Sequence, residues 1–281
     1  MNIQNIIEEG VNILKKKNIT SSELDTEILL ADILKKDRKY IIINNNLKIS
    51  DKEILDFKNL IKKRTKGKPI AYILKRKHFW DYNFTVSENV LIPRPETEFI
   101  VKEVLNIHKY KKNLNVLDIG TGSGCILLTL LKEKKDLRGV GIDISKKCID
   151  IARINAKNLN VIQRVKFYKS NVDNFNLGKY DIVVSNPPYI KKHLIKYLEK
   201  DVAKFEPKLA LDGGLDGISE IRKVINKTSR LIKKNGKFVL EIAFDQKKIV
   251  IDLLTKKGFY INKVIRDYAK RDRCIISTKI N

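Results

Sequence analysis

Residues 185–190 read SNPPYI, and their side chains and backbone suit one chemical task. Asn186 offers a side-chain carbonyl oxygen and Pro187 a backbone one, so each could accept one N–H of a planar NH2 group. Pro187 and Pro188 fix φ and have no N–H to donate, which aims those oxygens at little ordering cost. Tyr189 adds an aromatic face against which a planar amide or base could pack. The nitrogen of such a group is a poor nucleophile because its lone pair is conjugated. A site that holds both hydrogens, in line with an electrophile, favours the loss of planarity that attack requires. Positioning and electrostatics would carry that step, with no cysteine or histidine nucleophile. The same turn would serve a carboxamide or the amino group of adenine, cytosine or guanine. In isolation the four residues NPPY could also be a strand stop followed by a core tyrosine.

The second cluster is VLDIGTGSGC, residues 116–125, where Gly120, Thr121, Gly122, Ser123 and Gly124 follow an apolar run and precede a helical one. Glycine there lets the chain turn tightly and lets a ligand press on the backbone. Asp143 ends the next apolar run, GVGID, where a carboxylate could accept both ribose hydroxyls of an adenosine. The spacing is not the dinucleotide fingerprint GxGxxG. Its third glycine falls on Cys125 counted from Gly120 and on Leu127 counted from Gly122. A GxGxG loop preceded by an acid, here Asp118, instead resembles the S-adenosylmethionine loop of class I methyltransferases. In those proteins the acid lies near the methionine part of the cofactor.

The elements that must position these residues follow from periodicity. Residues 1–72 read as helices, with Ile3, Ile6, Ile7, Val11 and Leu14 at helical spacing. Capping boxes are expected at Ser22 with Asp25 and at Ser50 with Glu53, and a stop at Gly67 and Pro69. Residues 73–93 form a connector. Within it the alternation of Phe84 and Val86, then Val90 and Ile92, around Ser87–Asn89 predicts a hairpin. From residue 94 to 281 strand and helix signals alternate: LNVLDIG, a helix from Cys125, RGVGIDI, a helix after Ser145, RVKFYKS, YDIVVSN, a helix over 218–233, GKFVLEI, another helix and RCIISTK. That rhythm gives an α/β domain with a mostly parallel sheet covered on both faces. Ligands of such sheets bind at the carboxyl edge, where Gly120, Asp143 and Asn186 all fall.

Two longer segments are more specific. GKPIAYILKRKHFWDYNFTVSENVLIPRPETE, residues 67–98, resembles the connector of the peptide chain release factor glutamine methyltransferases. LDIGTGSG, SNPPYI and FEPKLALDGGLDG, residues 205–217, extend that resemblance over most of the chain. It implies a Rossmann-like class I fold with a seven-stranded sheet, a small N-terminal helical domain that recognises the substrate, and a connecting β-hairpin. It also implies methyl transfer from S-adenosylmethionine to the side-chain nitrogen of the glutamine in the Gly-Gly-Gln motif of release factors. Carried over position by position, Asp118, Gly120 to Gly124, Asp143, Asn171, Val172 and Asn186 would hold the cofactor, and Asn186, Pro187, Pro188 and Tyr189 the substrate amide. Pro93, Arg94, Pro95 and Glu96 either brace the site or form a proline-rich junction with Arg94 in a structural ion pair.

The chain departs from the family pattern at two places. Lys75 stands where a glycine is usual after Tyr-Ile-Leu, and Asn171-Val172 replaces Asp-Trp after the third strand. Asn171 keeps an oxygen for the adenine amino group, while a stacking aromatic at 172 is lost.

Composition bounds the rest. With 281 residues, 43% hydrophobic and 32% charged, the chain is an ordered globular protein despite a formal net charge of +25. That charge fits either a polyanionic partner or the lysine-rich surface that an AT-rich genome imposes. The three cysteines, Cys125, Cys148 and Cys274, are far apart, and His78, His108 and His193 form no ligand set, so neither a metal site nor a disulfide is expected. No signal segment or apolar span stands out, which predicts a cytoplasmic protein without membrane contact, expected to be a monomer. Nucleic acid is expected to be involved only indirectly. The runner-up readings are a nucleic-acid amino-methyltransferase and a basic module that binds RNA or the ribosome without turnover. The first needs base flipping and a DNA-reading segment that the sequence does not display.

Overall fold

The computed structural model describes residues 1–280, which divide into two compact units: Met1–Arg76 with Glu199–Phe205, and Lys77–Leu198 with Glu206 onward.

The first unit is helical: α1 (Ile3–Lys15), α2 (Ser22–Leu34), α3 (Arg38–Ile43), α4 (Asp51–Arg64) and α5 (Ile70–Leu74). Ile3, Ile6 and Leu14 of α1 bury against Leu29 and Leu30 of α2 and Phe57 and Ile61 of α4. Asn2 caps α1 by accepting the Asn5 amide, and Ser50 with Glu53 forms the expected capping box on α4. The box at Ser22 is corrected: α2 is preceded by Ser21, whose side chain makes no cap bond. Asp25 is diverted, because its carboxylate accepts the Ser21 hydroxyl at 2.7 Å and the buried Arg64 Nε at 2.7 Å. Gly67 turns the chain after α4 at φ +86°. α5 ends on Lys75, which takes the left-handed conformation at φ +58°.

In the second unit the hairpin lies earlier than the alternation predicted. It joins β1 (Arg76–Phe79) to β2 (Tyr82–Thr85). The residues around Ser87–Asn89 make only a turn, with the Val90 amide on the Ser87 carbonyl at 3.0 Å. Val86, Val90 and Ile92 are all buried there, and the Ile92 amide donates to the Glu206 carboxylate instead of to a strand partner.

Beyond it come α6 (Glu98–His108), β3 (Asn115–Ile119), α7 (Cys125–Glu133), β4 (Arg138–Asp143), α8 (Lys146–Asn158), β5 (Val165–Lys169) and β6 (Tyr180–Ser185). They are followed by α9 (Lys200–Phe205), which belongs to the helical unit, and then α10 (Ser219–Leu231), β7 (Ile232–Glu241), α11 (Lys247–Lys256), β8 (Phe259–Arg266) and β9 (Asp272–Lys279). The sheet has seven strands in the order β5-β4-β3-β6-β7-β9-β8, parallel except for β9, which is antiparallel to β7 and β8. This is the Rossmann-like class I methyltransferase architecture. β8 carried no clear signal because it is an edge strand with little fully buried surface.

Successive residues of the central strands face opposite layers, as a two-residue period demands. Val116, Ile182 and Val184 pack with Leu127 and Leu131 on one side, and Leu117 and Val183 with Ile221 and Phe238 on the other. Buried on both faces, β3 and β6 fix the register of everything at their ends. Ile119 pairs with Ile142 on β4 and with Ser185 on β6, and Ser185 pairs with Leu240 on β7. Gly120, Asp143, Asn186 and Glu241 therefore emerge side by side.

Candidate functional site

A cleft of about 460 Å³ opens at this carboxyl edge, at the point where the strand order reverses between β3 and β6. Gly120, Gly122, Asp143, Asn171, Val172, Asn186, Pro187 and Pro188 line it. Asp118, Thr121, Ser123 and Gly124 lie beneath the loop they belong to, and Tyr189 stands behind the turn with its hydroxyl toward Glu241 at 3.3 Å.

The loop is built to leave its crest open. Gly120, Gly122 and Gly124 all have positive φ, and a Cβ placed on Gly120 would meet nothing within 4 Å. The Gly120 and Thr121 amides both donate to the Ile142 carbonyl at 2.9 Å, which holds the loop to the end of β4. Gly124 is needed for a different reason: a Cβ there would sit 2.8 Å from Leu128 Cδ1, closing the approach of α7. Asn155 of α8 locks the far side. Its Nδ2 donates to the Ser123 carbonyl at 2.9 Å and the Thr85 carbonyl at 3.0 Å, and its Oδ1 accepts the Thr85 amide at 2.7 Å.

Two acids govern the electrostatics of the loop. Asp118 is fully buried and accepts the Thr121 hydroxyl at 2.7 Å. Burial pushes its carboxyl up to about 7, against the Thr121 hydrogen bond and helped by the neighbouring charge of Asp143. Asp143 is also raised by burial, and the amides of Ser145 and Gly122 oppose that shift. The donor set suits a nucleoside cofactor without a phosphate: a carboxylate at the end of β4, an open glycine crest and no lysine on the loop. Asn171 accepts the Asp173 amide at 3.1 Å, which leaves one lone pair of its Oδ1 for a ligand.

The turn at Asn186 is held from three sides. Ser185 donates its hydroxyl to the Ile119 carbonyl at 2.7 Å, tying β6 to β3 at the last paired residue. The DGGLDG segment wraps the residues after the prolines. Ile190 bridges to Asp212, Gly213 N donates to the Ile190 carbonyl at 2.9 Å, and Gln246 Nε2 joins the Tyr189 and Gly217 carbonyls at 3.0 and 2.9 Å. The third hold is Thr97. Its hydroxyl receives Asn186 Nδ2 at 3.0 Å and donates to Glu241 Oε2 at 2.8 Å.

Thr97 and Glu241 were not among the residues picked out by sequence. Thr97 sits inside IPRPETE, whose Arg94 pairs with the buried Glu206 of FEPKLAL, so the two motifs clasp one another. Glu241 carried the same signal as Asp118 and Asp143, an acid at the end of an apolar strand. Burial raises its carboxyl to about 7, opposed by the Thr97 hydroxyl, Arg273 and the Tyr189 hydroxyl. Leu209 and Ala210 of FEPKLAL and Leu91 of the connector also line the cleft.

The three cysteines are buried and unpaired. Among the described residues no cluster of histidine, cysteine and acidic side chains is placed to hold a metal, and no helix is long and apolar enough to cross a membrane.

Comparison with known proteins matches this arrangement on both units. Residues 5–74 match the PrmC N-terminal domain, and residues 110–273 match a methyltransferase domain. A release factor glutamine methyltransferase of Clostridium acetobutylicum is 35% identical, with 99% of each chain covered. One from Buchnera aphidicola subsp. Baizongia pistaciae is 37% identical over 94% of this chain and 95% of its own. Among solved structures, a methyltransferase from Pyrococcus furiosus aligns at TM-score 0.53 and 18% identity over 70% of this chain and 89% of its own, a likeness of fold. The glycine crest, the acid across from it, the clasped IPRPETE and FEPKLAL segments and near full-length relatives converge: the chain belongs to the release factor glutamine methyltransferase family.

Proposed function

We propose that this protein transfers a methyl group from S-adenosylmethionine to the side-chain amide nitrogen of the glutamine in the Gly-Gly-Gln motif of peptide chain release factors. One observation supports it above the others: Asn186 and Pro187 border the same cleft as Gly120, Gly122 and Asp143. Acceptors for an NH2 group thus face the loop of a nucleoside cofactor.

S-adenosylmethionine supplies an electrophilic methyl group on a sulfonium. Asp143 would take the ribose hydroxyls, Asn171 the adenine amino group, and Val172 would offer the base an aliphatic face. Asp118 supports the loop residues Gly120, Thr121, Gly122, Ser123 and Gly124 from beneath. Asn186 Oδ1 and the Pro187 carbonyl accept the two N–H groups of the glutamine amide. Holding both hydrogens would favour a pyramidal nitrogen poised to take the methyl group, and the proton that the methylated nitrogen must lose would leave by way of one of the two oxygens that hold it. Pro188 stiffens the turn and Tyr189 backs it. No side chain need act as nucleophile.

The helical domain, residues 1–72, would hold the large protein substrate, with residues 73–93 as connector and 94–281 as the transferase. The protein would act in the cytoplasm as a monomer.

The test is transfer of labelled methyl from S-adenosylmethionine to a release factor, to one with its motif glutamine replaced, to duplex DNA and to ribosomal RNA. Label in the unaltered release factor alone is expected. Label in nucleic acid but not in the release factor overturns the reading. Asn186→Ala is expected to lower turnover about a hundredfold, the loss from removing one preorganised polar contact, with a smaller effect on cofactor binding.

A further inference from the structure

A side-chain amide can be inserted in either of two orientations, and only one puts its oxygen where a substrate N–H could meet it. Whatever decides between them decides whether Asn186 accepts or repels. The structure contains an arrangement that makes this choice, and it lies outside the turn itself.

Thr97 is 3% exposed and Glu241 1% exposed, so neither group exchanges its partners freely with water. The Glu241 carboxylate, when ionised, has only lone pairs to offer. In that ionised form the Thr97 hydroxyl, 2.8 Å away, spends its single hydrogen on Glu241 Oε2, whereas the neutral acid, which burial favours below about pH 7, could donate and release that hydrogen. What Thr97 shows to Asn186 beside the ionised carboxylate is a lone pair. Only the NH2 end of the Asn186 amide answers a lone pair, and Nδ2 lies 3.0 Å from Thr97 Oγ1. The reversed amide would set two oxygens facing each other with no hydrogen between them. The second oxygen of Glu241 is itself engaged, accepting the Tyr189 hydroxyl at 3.3 Å, so the carboxylate is held at both ends by groups that flank Asn186.

Register explains why these three meet. Ser185 pairs with Leu240, so Asn186 and Glu241 leave adjacent parallel strands together. The 3-10 turn Pro95–Thr97 then delivers the hydroxyl between them.

We infer that Thr97, with its hydrogen committed to Glu241, is a positioning residue that fixes the Asn186 carboxamide with its oxygen free to receive the substrate amide. This rests on the reading of Asn186 as a substrate acceptor. Thr97 acts through Asn186 and contacts neither reactant.

The experiment measures kcat, the KM for a release factor and the Kd for S-adenosylmethionine in Thr97→Val, Thr97→Ser, Asn186→Ala and the double variant Thr97→Val/Asn186→Ala. Thermal midpoints are recorded alongside. Thr97→Val is expected to lower kcat about tenfold, the worth of one lost hydrogen bond to a fixed group, with the cofactor Kd unchanged. Thr97→Ser, which keeps the hydroxyl, should restore kcat to within about twofold of the unaltered protein, well inside that hydrogen-bond effect. In the Asn186→Ala background Thr97→Val should cost nothing further, because the two residues act as one unit. If valine lowers the thermal midpoint, Thr97→Ala is read in the same arms. A kcat for Thr97→Val equal to the unaltered one overturns the inference. So does a serine variant as slow as the valine one, or an equal loss with and without Asn186. Full activity of Asn186→Ala instead rejects the acceptor reading on which the inference stands, so the two failures are told apart.

Discussion

Asp143 holds Gly122 by its backbone: Oδ2 accepts the glycine amide at 3.0 Å while Oδ1 accepts the Ser145 amide at 2.8 Å. One carboxylate therefore pins the loop, closes β4 and starts α8. Asp143 also lines the cleft, where the ribose hydroxyls are proposed to sit.

Replacing Asp143 by alanine removes charged acceptors from both the loop and the proposed ribose. Charge-assisted hydrogen bonds of this kind predict between about ten- and a hundredfold weaker binding of S-adenosylmethionine. Calorimetric titration measures it. A change under about twofold would remove Asp143 from the cofactor's contacts, being smaller than one neutral hydrogen bond.

Gly213 explains why the DGGLDG segment needs its glycines. A Cβ there would lie 2.8 Å from Tyr189 Cα and 2.8 Å from the Gly217 carbonyl oxygen, both backbone atoms that cannot swing aside. Gly213→Ala is expected to cost about 1–3 kcal/mol of stability, as overpacking does. It should also lower turnover more than cofactor affinity, since the displaced chain is the one that follows Asn186. Denaturant melts and initial rates test both, and an unchanged melt contradicts the packing argument.

Glu241 gives the protein a pH dependence. Its carboxyl titrates at about 7 in the fold against an ordinary 4.5, because burial outweighs the help of Thr97, Tyr189 and Arg273, and the charge of Glu96 pushes the same way. The folded state thus holds a proton that the unfolded chain releases. The contribution to stability is complete below 4.5 and is lost as pH rises through about 7, a loss on the order of 3 kcal/mol. Asp118 acts in the same direction. Glu241→Gln should flatten the stability profile between about pH 5 and about pH 8 without abolishing it. Urea melts across that range decide, and a variant slope equal to that of the unaltered protein counts against this assignment.

Lys75 occupies a left-handed position at φ +58° after α5, which a side chain tolerates poorly. Lys75→Gly removes the Cβ that makes this conformation costly and is expected to stabilise the protein by up to about 1 kcal/mol, the strain relieved less the added freedom of the unfolded chain. A lower thermal midpoint in the glycine variant would refute this.

What the sequence revealed depended on range. The glycine loop, Asp143 and NPPY were legible because each sits at the end of a buried parallel strand, where a continuous apolar run announces the strand and its last residue announces the site. The hairpin was misplaced because Val86, Val90 and Ile92 alternate like a strand while being buried one by one, with Glu206, distant in sequence, taking the Ile92 amide. The helix start at Ser22 was misread because Asp25 answers Arg64 of a different helix. Thr97 stayed hidden because it looks ordinary in its own segment, whereas Glu241 ends an apolar strand as Asp118 and Asp143 do and was passed over. β6 and β7 set Glu241 beside Asn186, and the turn Pro95–Thr97 brings the hydroxyl to both.

Asn155 gives the connector and the cofactor loop a shared fate. Its one amide serves Thr85 on the hairpin and Ser123 on the loop, so loosening either segment leaves Asn155 with an unpaired group between them. Their backbone amides should open to solvent exchange as one cooperative patch, and a ligand that quietens the glycine crest would protect the hairpin as well.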